Sequence, residues 1–134
     1  MNSVIEIHDS ELESIELAEG AVELRFSPVY IHKSEGRPGI DAGTGWAQRA
    51  RLVISNANIK RSFAKFPGEL LAGYLKLEET VLNNEIPIPL NFRGKVELNL
   101  ESWNDETVLI SGDGAVLVLV GDPEYVEDFP RTQT

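Results

Sequence analysis

The sequence predicts an all-β antiparallel fold of about eight strands, as a bent sheet, a sandwich or an open barrel, with a short C-terminal helix. Three observations carry this. Apolar residues recur with a period of two. Short Gly, Asn and Asp turns separate the alternating runs. Two prolines fall on matching positions of one run, as an outer strand would place them.

The alternation is plain in Val22, Leu24 and Phe26, which interleave with Glu23 and Arg25. It recurs in Val96, Leu98 and Leu100 against Glu97, Asn99 and Glu101, and in Leu71, Leu75 and Leu77 against Tyr74, Lys76 and Glu78. Successive side chains of a strand point to opposite faces, so each run has one buried and one wet face. Apolar spacings of three and four, which a helix needs, are missing from these segments.

Taken in chain order, His8-Asp9-Ser10 reads as a polar turn leading into Leu12–Leu17. Glu19-Gly20 then separates Ile15-Glu16-Leu17 from Val22. Arg93-Gly94, Trp103-Asn104-Asp105-Glu106 and Gly112-Asp113-Gly114 divide Glu85–Val120 into an antiparallel four-stranded meander. Pro87 and Pro89 share a parity and remove donors from one edge, so Glu85–Leu90 reads as an outer strand. Val116–Val120 is apolar at both parities and is expected to be buried on both faces. Trp103, at a hairpin end, is expected to lid the core. Asp122 as cap, Pro123 in the first position and Glu124 near the positive end predict a helix that docks Val126 and Phe129 and stops at Pro130.

The segment Ser34–Trp46 stands apart. Four of its thirteen residues are glycine, a length and composition that mark functional or flexible loops. Arg37 offers a fork for a carboxylate or phosphate, and Trp46 an amphipathic anchor. Asp41-Ala42-Gly43-Thr44-Gly45 would let backbone amides approach a ligand. It is not a P-loop, because no Gly-Lys-Ser/Thr follows, and it fails the dinucleotide fingerprint. Arg37, Asp41, Thr44, Trp46 and nearby His32 are the candidate ligand- or partner-binding residues. The competing reading is a hairpin excursion with Trp46 folded back on the sheet.

The chain of 134 residues fits one domain over 1–130, with a frayed tail at 131–134. A hydrophobic fraction of 42% suffices for a core. The absence of cysteine excludes disulfides, a thiol nucleophile and thiolate zinc sites, and fits a reducing cytoplasm, where the chain is expected to reside. Met1-Asn2-Ser3-Val4 has no basic flank, no secretory signal is expected, and no run is apolar enough to suggest a membrane span.

The net charge of −10 argues against nucleic acid as a partner. It is unevenly spread. Lys33 to Lys65 holds seven basic residues and two acids, leaving this window at +5 and the remainder at −15. Either basic strands pair with acidic neighbours inside the sheet, or a positive patch meets an anion or an acidic partner. The same split would let two copies face each other as a homodimer.

Catalytic signals are weak. His8, Asp9 and Ser10 contain the residue types of a hydrolase triad, but adjacent residues of an extended chain point apart. The nucleophile-elbow motif is missing. His8 and His32 are the two histidines, too few and too separated to predict a metal site, and no cofactor motif is present. His8 and Asp9 are retained as a candidate polar cluster.

Ile7-His8-Asp9-Ser10-Glu11-Leu12, followed by Ile15, resembles the start of small uncharacterised bacterial β-rich domains, some of them suspected toxin-immunity proteins. Tyr125-Val126-Glu127-Asp128-Phe129, after an apolar strand, is similar to the way such domains close. The resemblance covers these two stretches and implies a binding role rather than catalysis. The expected function is therefore a non-enzymatic protein-interaction domain with a basic partner. The alternative is a small-anion or metabolite binder using the glycine-rich loop 34–46.

Overall fold

A computed structural model describes residues 2–129. Ten strands form one antiparallel sheet, and no α-helix occurs among the described residues. The strands are β1 (Asn2–Glu6), β2 (Glu11–Ala18), β3 (Ala21–Ser34), β4 (Gly43–Ser55), β5 (Asn58–Arg61), β6 (Gly68–Leu77), β7 (Thr80–Asn83), β8 (Glu85–Ile88), β9 (Asn91–Ser102) and β10 (Thr107–Phe129). A 3-10 turn at Ile7–Asp9 joins β1 to β2.

The pairings run in a circle. β2 pairs β3, β3 pairs β4, β4 pairs β10, β10 pairs β9, β9 pairs β6, and β6 returns to β2. Inward residues of this ring make the core: Leu12, Leu24, Leu52, Leu75, Leu98, Leu100 and Ile110 are almost completely buried. The alternation of Val22, Leu24 and Phe26 is met residue for residue, as is that of Val96, Leu98 and Leu100.

Above the ring the sheet opens into a fan. The second half of β3 leaves β2 and pairs β1 instead, and β1 pairs β8. On the other side β4 continues along the second half of β10. The fan thus reads β8-β1-β3-β4-β10. β8 lies at its end and contains Pro87, which agrees with the outer strand expected from the proline parity.

Several expectations are corrected. The C-terminal helix does not form: Asp122–Phe129 is strand, paired through Glu124↔Ala47, Tyr125↔Trp46 and Phe129↔Gly43. The Asp-Pro signal marks a bulge, because the β4–β10 register shifts between Val120 and Glu124 and Pro123 sits where no ladder bond is required. The long β4 edge supplies a partner that a capping argument cannot foresee. Likewise Arg93-Gly94 and Gly112-Asp113-Gly114 are not turns. β9 and β10 pass through them with a register shift between Gly112 and Gly114, so the predicted meander is β8 followed by one long, bent hairpin. Trp103-Asn104-Asp105-Glu106 is its turn, as expected, but Trp103 is 65% exposed and lids nothing.

Val116 and Leu119 are likewise more than a third exposed, so that run is not covered on both faces. Leu71 faces outward because the β6–β9 register shifts between Leu70 and Ala72 and hands the inner position to Leu70. The described strands form one sheet that runs through residue 129. The tail at 131–134 and the stop at Pro130 lie outside the described residues.

Candidate functional site

The glycine-rich segment is shorter as a loop than its composition suggests. β3 runs to Ser34 and β4 begins at Gly43, so only residues 35–42 connect them. Gly43 and Gly45 serve the sheet. A Cβ at Gly43 would strike the Lys33 carbonyl and crowd the His32 ring, and one at Gly45 would strike the Tyr30 hydroxyl. These glycines make room for the Lys33 backbone, the His32 ring and the Tyr30 phenol.

The loop is tied down by its own polar groups. Asp41 accepts the Arg37 amide at 2.7 Å, and the Ile40 and Asp41 amides donate to the Arg37 carbonyl. Ser34 donates to the Ala42 carbonyl at 2.7 Å and accepts from the Gly36 amide. Asn2 of β1 donates to the Gly36 carbonyl at 2.7 Å. Asp41 is therefore a shaping residue.

The loop, β1 and the β7–β8 corner enclose an open cleft of about 480 Å³. Arg37, Gly39 and Ile40 line one wall, and Asn83, Asn84 and Glu85 the other, with Glu6 at the β1 end. Glu6 is the residue that sequence reasoning missed. Its backbone pairs with Tyr30 in β3 and Glu85 in β8, which brings it under the loop. The available signal was an acid inside the apolar run Val4-Ile5-Glu6-Ile7. Burial pushes its carboxyl above the ordinary range. Nearby His8 opposes this, and the negative charges of Asp9, Glu85 and Glu127 add to it.

His32 lies directly behind the loop, fully buried, with Nδ1 4.0 Å from a Glu6 oxygen. The two do not form an ion pair. Nδ1 accepts the Gly39 amide hydrogen and has no proton to give. Burial also lowers the His32 pKa, with the Asp41 backbone opposing, so the neutral ring is favoured. The ring rests on Phe129 of β10 with centroids 4.1 Å apart.

Thr44 and Trp46 do not join this cleft. Thr44 Oγ1 accepts the Trp46 indole hydrogen at 2.7 Å, Tyr125 meets the indole edge-on at 5.5 Å, and Lys33 Nζ lies 4.7 Å above the ring. Trp46 thus anchors the end of β10 to the fan. Of the basic window, Arg51 pairs with Glu23 at 3.1 Å, which realises the internal-pairing expectation at that residue.

His8 and Asp9 occupy the 3-10 turn. The Asn84 side chain accepts the His8 amide hydrogen at 2.8 Å and donates to Nδ1 at 2.5 Å. Nε2 then carries the ring proton and faces Asp9 at 3.0 Å. Glu6, His8 and Asp9 could converge on one centre. The donor set suits a cation poorly, because the Nδ1 lone pair is used and the proton sits on the nitrogen a metal would need. Ser10 is buried beneath, donating to the Glu6 carbonyl at 2.8 Å and accepting the Tyr30 amide at 3.0 Å. It pins the turn to β3, as the turn-shaping reading expected.

A second feature lies at the far side of the fan. β9 leaves β10 at Val116, and the Leu117 amide turns to the Leu90 carbonyl. From Val118 to Phe129 the outer edge of β10 has no partner strand among the described residues. Leu119, Tyr125 and Val126 are exposed there, among Asp122, Glu124, Glu127 and Asp128. No family model, curated protein or solved structure matches this chain.

Proposed function

We propose that this chain is a non-enzymatic protein-interaction domain, immunity-like in character, that takes an extended basic segment of a partner protein along β10. The observation that carries the reading is the outer edge from Val118 to Phe129, which has no partner strand among the described residues. Such an edge offers unused N–H and C=O groups to an added strand, and exposed side chains supply specificity.

Charge selects the partner. Asp122 and Glu124 are exposed on this stretch, while Glu127 accepts from Tyr30 at 2.8 Å and Asp128 from Tyr125 at 2.6 Å. A second copy added here would bring acids close to acids, which destabilises a strand pair, whereas Lys and Arg would be attracted. Leu119 and Val126 give such a segment apolar ground to cover. The excess negative charge outside the Lys33–Lys65 window would also speed encounter with a cationic surface at low salt.

The test is site-specific photo-crosslinking from position 126 in native extract at low and high salt, with position 78 as the control. The expected result is a salt-sensitive adduct at 126 whose crosslinked peptide is rich in Lys or Arg and is lost in Asp122→Lys/Glu124→Lys. Equal adducts at both positions, or a crosslinked peptide without basic residues, would reject the reading.

A further inference from the structure

We infer that the cleft beneath loop 35–42 is a binding site for a small zwitterion of the amino-acid class, its ammonium held by Glu6 and its carboxylate by Arg37. The inference is independent of the β10 edge and concerns the opposite side of the fan.

Glu6 is the central observation. The residue is 9% exposed, lines the cleft, and makes no side-chain hydrogen bond among the described residues. Its side chain keeps 12% exposure, and a carboxylate so far withdrawn from water with no protein donor is left to be met from the cleft it lines. The nearest candidates are engaged elsewhere. His32 Nδ1 accepts from Gly39, while the His8 ring lies between Asn84 and Asp9. The carboxylate can be satisfied by a donor entering through the cleft.

The rest of the lining defines that donor. Glu85 adds a second negative charge, and Asn83 an amide. Two carboxylates in the lining disfavour a bare anion in this cleft. They favour an ammonium group, whose three donors match acceptor-only oxygens. Arg37 stands on the opposite wall, exposed and without an ion pair among the described residues. Its planar fork suits a carboxylate bidentately. Close approach is possible at Gly39, where φ is +86° and a Cβ would sit 3.4 Å from Glu6. The cleft lies within the size range of small-ligand sites.

The proposal is tested by titrating isotope-labelled protein, observed by amide NMR, with L-alanine, L-leucine and L-glutamine. Each is paired with its N-acetyl form and its amide. Saturable shifts at residues 36–40 and 83–85 are expected with at least one free amino acid. Acetylation, amidation, Glu6→Gln and Arg37→Ala should each weaken binding by about tenfold or more, the worth of one charge-assisted bond. Binding should also strengthen as pH rises through the elevated Glu6 pKa.

No saturable shift with any of the three at about 10 mM, a generous excess over a millimolar Kd, would overturn the proposal. So would undiminished binding in Glu6→Gln, or equal binding of the N-acetyl form. Should Glu6→Gln not fold, Glu6→Asp, which withdraws the carboxylate by one methylene, must show the same loss.

Discussion

The hydroxyl of Tyr30 donates to the Glu127 carboxylate at 2.8 Å, joining the middle of β3 to the end of β10 across the intervening β4. Gly45 of β4 makes this possible, since any Cβ there would occupy the space of the phenol.

Gly45→Ala is therefore expected to displace Tyr30 and loosen the end of β10. Overpacking of this kind costs about 1–3 kcal/mol. Thermal unfolding should show a lower midpoint, and hydrogen exchange should rise at residues 124–129 more than in the ring. A midpoint equal to that of the parent would mean that the phenol is not held there.

Acid should weaken the fold through His32. Its folded pKa lies below the unfolded value of about 6.5, so the unfolded chain binds the additional proton. Stability from this group is complete above that value and falls as pH drops through it towards the folded pKa. Glu6 has the opposite sign. Its carboxyl is raised in the fold, so acidification through that raised pKa relieves a cost. Glu6→Gln should therefore steepen the loss of midpoint between pH 7 and 5, and His32→Gln should flatten it. Parallel profiles for the two variants would refute the assignment.

Alkali should act through the tyrosines. Tyr74 donates to Glu97 at 2.5 Å, which pushes its pKa up to about 12, and burial together with Glu127 raises Tyr30 further. Tyr125 is raised by its bond to Asp128. A folded pKa above the unfolded value of about 10 gives stability that is whole below pH 10 and declines above it. Ultraviolet titration should show little phenolate at pH 10 in the folded protein and normal ionisation in denaturant.

Ser10→Ala removes one hydroxyl that serves two strands, leaving the Glu6 carbonyl and the Tyr30 amide without that partner. Loss of a buried bond of this type costs about 1–3 kcal/mol. The urea midpoint should fall accordingly, with an unchanged m value. A variant as stable as the parent would show that water replaces the hydroxyl freely.

What could be read in advance follows from how local each cause is. The period-two pattern of Val22–Phe26 is local, and so is the turn at Glu19-Gly20, where both residues have positive φ. Gly112–Gly114 carried the same chemical marks as a turn, yet β9 lies opposite and the chain continues straight through a bulge. Asp122-Pro123 carried helix marks and was overruled by β4. The candidate site divides in the same way. Arg37 was visible as an unusual residue in an unusual loop. Glu6 was not, because its importance comes from Tyr30 and Glu85, which reach it only through the pairings of β1.

The ring closes between β2 and β6 through just two register pairs, Glu11↔Glu69 and Leu12↔Gly68. Every other junction of the circle is longer. This short seam places two glutamates opposite each other, a like-charge contact that works against pairing. Opening of the ring is therefore expected to begin there, parting Leu12 from Gly68 before any other side yields. Its amides should be the first of the ring to exchange, and salt, by screening the two acids, should slow them.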